Sequence, residues 1–510
     1  MKNSILLYFL LLSTLCFGQG KNHNWLVGYD VALFDTNVTS TKGILKYDTS
    51  SINVIPTNFK IPFRAAQGNI SDENGNLLMV SNGCWIANST GDTMQNGGGL
   101  NPSPFTTSWC DNASGIPYPH TSLILPYPAD SNKFLLFHQT GTDNVNTKPS
   151  ALFYTVIDMN LDNGLGGVIA GKKNKIAIQA SLNPELAACK HANGRDWWII
   201  AFKDSTDIVY KVLLTSNGIA SVSQQSLGVP LHYNYMGQAQ FSPDGNKFAY
   251  HYRDFVNNGP PVTHQIRLFD FDRCSGMFSN PNVIAYTDSV SGNGLAFSSN
   301  SRYLYFTLFN KVMQLYTDTT NILASLTTVA IYDGFAAPYW YLKTDFWLMY
   351  LAANGKIYIS SGNSVVDLHY INYPDSGGMA CDVQQHALHL PCYSGRGNVY
   401  HPNYYLGRIV GSPCDTLQWT GIDEQQHDFH FSVSPNPSNG SFKIMYLLPQ
   451  NSKRVFEMFD VEGRKVFSYN LPQWSTLQNF DLKNLNNGVY YCVLHSGNER
   501  VSKKMVVIKQ

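Results

Sequence analysis

Two stretches of this sequence carry residue types at spacings that chemistry would use. Asp158-Met159-Asn160-Leu161-Asp162-Asn163-Gly164 begins as a calcium loop does, with oxygen-bearing side chains on alternate positions. Its glycine falls at position seven rather than six, and the place of the bidentate Glu is taken by Ile169. A β-turn following an extended run from Leu152 to Ile157 is the expectation there. The second stretch gathers His386, His389, Cys392, Arg396 and His401 downstream of Asp382. His386 and His389 stand three apart, which suits one face of a helix, but Leu388, Leu390 and Pro391 bring no carboxylate to orient them. A metal would need a third ligand and that acid. We expect loop closure with hydrogen-bonded histidines and assign no metal or other cofactor. Tyr393, Tyr400, Tyr404 and Tyr405 could line a face that stacks on sugar rings.

Catalytic signatures are missing elsewhere. The chain has no Gly-x-Ser-x-Gly elbow, His-Glu-x-x-His helix, phosphate loop or dinucleotide fingerprint. Asp72, Asp130, Asp196 and Asp244 are the acids that recur, and each falls in a turn sequence where a structural role suffices. No catalytic residue is assigned.

The elements that must position these residues are strands. Of 510 residues, 44% are hydrophobic, 13% aromatic and 14% charged, against about 25% charged in average domains. Lys plus Arg and Asp plus Glu both number 35, so net charge is zero and no basic patch points to nucleic acid. Short β-branched and aromatic runs are bounded by Asn, Asp, Gly and Pro, which is strand patterning. One unit recurs: a short approach strand, a polar turn and an apolar strand. Its copies are Ile70–Val80, Pro128–Phe137, Lys190–Ile200, Phe241–Tyr250, Phe297–Phe306 and Leu351–Ser360. The turn residues Gly75, Asn132, Gly194, Gly245, Ser301 and Gly355 follow one another at 51 to 62 residues. Propeller blades repeat at about 40–50 residues, so blades with insertions fit. A lone four-stranded sheet cannot cover both faces, and radial stacking solves that. Further strand-like pieces at Trp25 to Leu33 and Gly43 to Tyr47 leave both six and seven blades open. The expected fold is all-β: a six- or seven-bladed β-propeller followed by a small antiparallel β-sandwich. A β-sandwich array with chance spacing is the competing arrangement.

The N-terminus reads as an export signal: a short positive start, then an apolar stretch from Ile5 to Phe17, too short to span a bilayer. Cleavage is expected after Gly18, in preference to lipidation at Cys16, and no later run is long enough for a transmembrane segment. Of nine cysteines, Cys16 leaves with the signal. Outside the cytoplasm disulfides persist. The preferred local pairs are Cys84 with Cys110 and Cys381 with Cys392, each closing a loop rich in Gly, Pro or Asn. Cys189 and Cys492, set against strand patterns, are expected as buried thiols.

From Cys414 to His430 the sequence turns polar, as a linker does. We therefore divide the chain into a signal peptide (1–18), a propeller (19–415), a linker (416–430) and a C-terminal domain (431–510). Turn signals in that last domain recur every 8–12 residues, the pattern of a small sandwich. Its motifs are Pro435-Asn436-Pro437 with Gly440, the turn Asp460 to Gly463, Asn487-Gly488-Val489-Tyr490, and the closing run with Lys503 and Lys504. The segment resembles the type A C-terminal sorting domain of the type IX secretion system of Bacteroidetes. The repeats resemble, more loosely, the WD-repeat-like propellers of exported bacterial proteins.

The tail resemblance implies handling by the type IX secretion machinery, passage through the periplasm, and release or display at the outer-membrane surface. For the propeller we expect a binding role toward an extracellular glycan or protein. A glycan- or peptide-cleaving enzyme with its site at the axis is the alternative. A third reading is a structural component of motility or secretion machinery.

Overall fold

The computed structural model describes residues 20–509 apart from 32–37, 48–51, 111–114, 144–146, 232–236, 254–260, 338–340, 416–429, 448–453, 473–476 and 498. The expected signal peptide and nearly all of the expected linker lie outside these residues. No helix among the described residues is long and apolar enough to cross a membrane.

Seven antiparallel sheets follow one another between residues 24 and 394 and form the blades of a β-propeller. Blade 1 comprises Asn24–Gly28, Lys42–Tyr47 and Ile52–Thr57, and blade 2 comprises Gly68–Ser71, Leu77–Ser81 and Ile86–Asn88. Blade 3 runs Ser122–Pro126, Lys133–His138, Ala151–Asp158, with Gly167–Val168 and Lys175–Gln179 both on its outer strand. Blade 4 is Leu182–Lys190, Trp197–Lys203, Thr206–Thr215 and Gly218–Leu231; blade 5 is Gln238–Phe241, Lys247–Arg253, Val262–Asp272 and Met277–Asp288. Blade 6 is Leu295–Phe297, Tyr303–Leu308, Lys311–Tyr316 and Thr327–Ile331. Blade 7 is Met349–Leu351, Ile357–Ile359, Val365–Ile371 and Val383–Ser394.

Each recurrent turn joins the innermost strand of a blade to its second strand. The aspartates hold these turns: Asp72 Oδ1 accepts from the Asn74 and Asn76 amides, both at 2.8 Å, and Asp244 Oδ1 from that of Asn246. Asp130 takes the Asn132 amide and Lys133, and Asp196 takes Asn193 and Arg195. Gly75, Gly194, Gly245 and Gly355 adopt positive φ at these corners, where a Cβ is disfavoured.

Innermost strands of successive blades touch in order from blade 2 to blade 7, and the outer strand of blade 7 packs on all three strands of blade 1. Aromatic side chains fill the joints. Phe202 of blade 4 lies 5.8 Å from Phe248 and 5.2 Å from Tyr250 of blade 5, and such pairs add about 0.5–1.5 kcal/mol each beyond area burial. At the joint between blades 1 and 7, Trp25, 1% exposed, meets Tyr350 at 6.1 Å and Tyr358 at 5.6 Å.

The ring is completed by its last segment. Asn24–Gly28 runs opposite to the innermost strand of blade 2: Gln67 Nε2 donates to Leu26 O and Asn69 Nδ2 to Asn24 O. Gly395–His401 instead runs with it, since the Arg396 amide bonds Arg64 O and His401 Nε2 bonds Asn69. The C-terminal segment therefore stands where blade 1 lacks an innermost strand, and the two ends of the propeller sequence build one blade between them. Close approach demands the glycines: a Cβ on Gly395 would fall 2.2 Å from Arg64 O, and one on Gly397 2.4 Å from Ala65 O.

Cys84 is bonded to Cys110, which ends the short helix Pro104–Cys110 on the connection from blade 2 to blade 3; Ser103 Oγ caps that helix at the Thr106 amide. The expected pair Cys381–Cys392 is corrected: both are buried free thiols, as are Cys189 and Cys492. The bulged strand Val383–Ser394 lies between Cys381 and the far end holding Cys392: Val383 pairs with Ile371 and Ser394 with Val365, so at about 3.3 Å per residue of the partner strand the two ends stand roughly 20 Å apart. The second disulfide is instead Cys274–Cys414.

The C-terminal domain comprises a sheet of His430–Ser434, Ser441–Leu447 and Leu477–Asp481, and a second of Lys465–Asn470, Arg454–Phe459, Gly488–Ser496 and Glu499–Val507. Phe431, Phe442, Phe456, Phe480, Tyr490 and Met505 are among the residues of their shared core.

Candidate functional site at the propeller axis

A propeller's innermost strands converge on its axis, so side chains from non-adjacent blades can meet only there. In this chain they do. His120, just before the innermost strand of blade 3, has its Nε2 3.3 Å from Tyr350 OH of blade 7 and 3.3 Å from Gln238 Nε2 of blade 5. Gln238 also donates to Met349 O, while its Oε1 accepts from the Leu295 and Met349 amides at 2.7 and 2.8 Å. Tyr350 OH bonds the backbone of Asn398 in the closing segment. His120 adopts φ +62°, a conformation that costs a non-glycine residue about 1–3 kcal/mol.

This layer carries no charge near neutral pH. Burial pushes His120 down to about 3, keeping the imidazole neutral. Glu185 is the one acid on the innermost strands and the closing segment. Burial raises its pKa to about 8, against the Gly237 amide at 3.1 Å from Oε1. Tyr250 OH donates to Oε2 at 3.5 Å. Asn293 and Asn398 lie buried without a hydrogen-bond partner for either carboxamide atom, as does His120 Nδ1. Buried polar groups in that state are ordinarily satisfied by ordered water.

The next level of the axis is filled by the closing segment. Tyr400 OH reaches the backbones of Ala188 and Phe241, Tyr404 OH donates to Ile124 O at 3.0 Å, and Asn403 Nδ2 to Pro243 O at 2.7 Å. A cavity of about 50 Å³ remains there, lined by Gln240, Phe241, Tyr350 and Tyr400, among others. At about 10–15 Å³ of such volume per water it has room for a few waters.

The expected sugar-stacking face is corrected accordingly. Tyr393, Tyr400 and Tyr404 are buried, and Tyr405 OH is taken by the Lys21 amide. The histidine stretch is likewise dispersed. His386 and His389 lie on the strand Val383–Ser394, not a helix, and each finds a carboxylate from a neighbouring element. His386 Nε2 donates to Asp333 Oδ2 and His389 Nδ1 to Asp367 Oδ1, both at 2.9 Å. Cys392 is buried near Gly28, Arg396 is on the closing segment, and His401 faces Asn69. Asp382 accepts from Asn372 and Gln384. Asp158 ends a strand and caps the Asn160 amide. Among the described residues no cluster of three or more His, Cys, Asp or Glu is placed to hold a metal. Sequence reasoning missed Glu185; its signal was a lone acid inside the apolar run Leu182–Lys190.

Several of the tail motifs converge on the last strand and the residues just after it. Asn436, between Pro435 and Pro437, bonds the edge of Glu499–Val507 from both sides: its Nδ2 donates to Lys504 O and its Oδ1 accepts from the Val506 amide, each at 2.8 Å. Asn487 Oδ1 takes the Lys509 amide, and Tyr490 OH donates to Asn486 O. Lys503 is on the same strand, which pairs with the strand that opens at Gly488. Asp460 Oδ1 closes its turn through the Glu462 and Arg464 amides, with Gly463 at positive φ. Gly440 likewise has positive φ, just before Ser441–Leu447.

Among solved structures, the chain is similar to a putative 6-phosphogluconolactonase from Bacteroides uniformis (11% identity, TM-score 0.34, 69% of this chain and 92% of that one). It is also similar to the periplasmic gluconolactonase PpgL of Pseudomonas aeruginosa (12%, 0.32, 90% and 99%) and a putative TolB from Agrobacterium tumefaciens (16%, 0.29, 57% and 88%). No curated protein matches the chain in sequence. Residues 432–509 match the secretion system C-terminal sorting domain family. The propeller thus carries a type IX sorting tail, which marks the chain for export to the cell surface or beyond it.

Proposed function

We propose that the chain is a secreted or surface-displayed binding propeller whose partner is a macromolecule, a polysaccharide or a protein, engaged on the outer faces of the ring. Residues 19–415 form the binding domain, 416–430 the linker and 431–510 the export tail, with 1–18 removed as a signal peptide.

The observation that carries this reading is the occupied axis. His120, Gln238 and Tyr350 meet across the ring at one level, and Tyr400 and Tyr404 fill the next. A small substrate threaded into the axis would have to displace these groups. Glycoside cleavage ordinarily needs two carboxyls about 5–10 Å apart. The innermost strands supply Glu185 alone, hydrogen-bonded to Gly237 and Tyr250. Recognition on an outer face suits a large partner. Exposed apolar side chains at the outer edges of blades 6 and 7, Ile331, Tyr373 and Met379, are the first surface to probe.

The test is a screen of the purified exported protein against polysaccharide and protein panels, read for saturable binding and for product release. Binding without turnover, weakened by Tyr373→Ala or Met379→Asp with Tm retained, is expected. Turnover of any glycan or peptide that is lost in Glu185→Gln would overturn the reading.

A further inference from the structure

The closing segment is seated in the ring without a strand ladder of its own. Gly395–His401 joins no strand ladder, and beyond Tyr404 and Tyr405 the chain leaves the axis toward Cys414. What holds that exit is a cluster on the hairpin tip of blade 5. Arg273, 2% exposed, donates from Nη2 to Gly407 O at 2.7 Å and from Nε to Lys190 O at 2.8 Å. Its own carbonyl accepts from Trp198 Nε1 at 2.9 Å and the Ala192 amide at 3.0 Å. The Ile409 amide bonds Ala192 O at 2.7 Å. The next residue on the tip, Cys274, is covalently joined to Cys414, the two Cα atoms 5.6 Å apart.

We propose that the Cys274–Cys414 disulfide is a redox-dependent latch on ring closure: it keeps the closing segment seated between blades 2 and 7. The bond joins residues 140 apart, so it removes most from the freedom of the opened chain. It sits at the last residues of the propeller before the tail sequence, where any pull or cut on the C-terminal side would otherwise peel the segment from the axis. Weakly laddered segments open locally ahead of the whole fold. A covalent stop beyond the exit makes such opening futile, because both ends of the segment stay at their sites.

Reduction by a dithiol breaks the S–S bond, leaves Cys274 and Cys414 as thiols and oxidises the dithiol to its own disulfide. The test compares the full exported chain, oxidised, with the Cys274→Ser/Cys414→Ser variant and with Cys84→Ser/Cys110→Ser as the control. Amide hydrogen exchange over residues 395–409 is expected to quicken on the order of tenfold or more in the first variant. The middle strands of blade 4 should change little, and the control should leave 395–409 protected. Should the variant fail to fold, the Cys84→Ser/Cys110→Ser protein treated with dithiothreitol under native conditions gives the same comparison, since Cys274–Cys414 is then the disulfide left to reduce. Unchanged exchange at 395–409 after verified loss of the bond, or equal acceleration throughout the ring, overturns the latch.

Discussion

His401 Nε2 lies 2.6 Å from Asn69 Oδ1, although 332 residues separate them in the chain. Asn69 also donates to Asn24 O, so one side chain ties together the first strand of blade 1, the innermost strand of blade 2 and the segment that completes the ring. Closure depends on backbone approach at the same place. Gly397→Ala would set a methyl 2.4 Å from Ala65 O, where only backbone movement relieves it. We predict a loss of about 2–4 kcal/mol in urea unfolding, from overpacking against backbone that cannot yield. Gly98→Ala, whose Cβ would meet nothing within 4 Å, should stay within about 0.5 kcal/mol.

The cysteine arrangement makes a prediction by mass. Denaturing alkylation without reduction should label Cys189, Cys381, Cys392 and Cys492 and leave Cys84, Cys110, Cys274 and Cys414 unlabelled. Peptide mapping that found Cys381 and Cys392 blocked would reject the strand geometry that separates them. In the native state the four thiols should react slowly, since all are buried and burial raises the Cys189, Cys392 and Cys492 thiols to about 12.

The turns were legible in sequence because their causes are local: Asp244 binds a backbone amide two residues on, and Gly245 supplies the positive φ. The strand–turn–strand spacing then gave the blades. Gly395–His401 was not legible as a ring element, because its neighbours Arg64 and Asn69 are remote and its own sequence lacks strand patterning. The same distance effect hid Cys274–Cys414, since nearby cysteines in turn-rich loops suggested Cys381–Cys392. The histidines looked like a group in sequence, but partners on other strands, Asp333 and Asp367, drew them apart. Tyrosines at 400 and 404 read as a surface because nothing local announces that the chain there enters the axis.

Glu185 and the buried histidines give opposite pH dependences. Burial raises Glu185 from 4.5 to about 8, so the folded state holds a proton that the unfolded chain releases. Its contribution is fully present below pH 4.5 and is lost as pH rises toward 8. Glu185→Gln keeps an acceptor for the Gly237 amide and removes the titrating proton, with the Tyr250 hydroxyl turning to accept from the new amide. We predict that the variant is more stable than wild type by about 1–3 kcal/mol at pH 8, the gap closing near pH 4.5. His120, His138 and His401 are pushed down from 6.5 to about 3, so the unfolded state binds more protons between those values. Wild-type stability should therefore fall as pH drops below 6.5, by up to about 1.4 kcal/mol per unit for each histidine. Thermal melts from pH 4 to 9 check both slopes, and a Glu185→Gln difference that is flat with pH would reject the protonated carboxyl.

Asn436 makes a separable prediction about the tail. Its carboxamide occupies a donor and an acceptor on the last strand, the Val506 amide and Lys504 O, as a neighbouring strand would. Ser438 continues the contact, its amide donating to Val506 O and its carbonyl accepting from the Ile508 amide. Asn436→Ala leaves two strand-edge groups to water and should cost the C-terminal domain about 1–2 kcal/mol, because each net hydrogen bond is worth about 0.5–1.5 kcal/mol. Asn436→Asp keeps the acceptor and loses the donor, so an intermediate cost is expected. Hydrogen exchange should show faster exchange at the Val506 and Ile508 amides in both variants, with the propeller unchanged. If the last strand must be seated for the tail to be handled, export should fall in the same order: wild type, Asp, Ala. Export that tracks neither the exchange rates nor that order would show that the motif acts through direct contact with the secretion machinery rather than by stapling the strand.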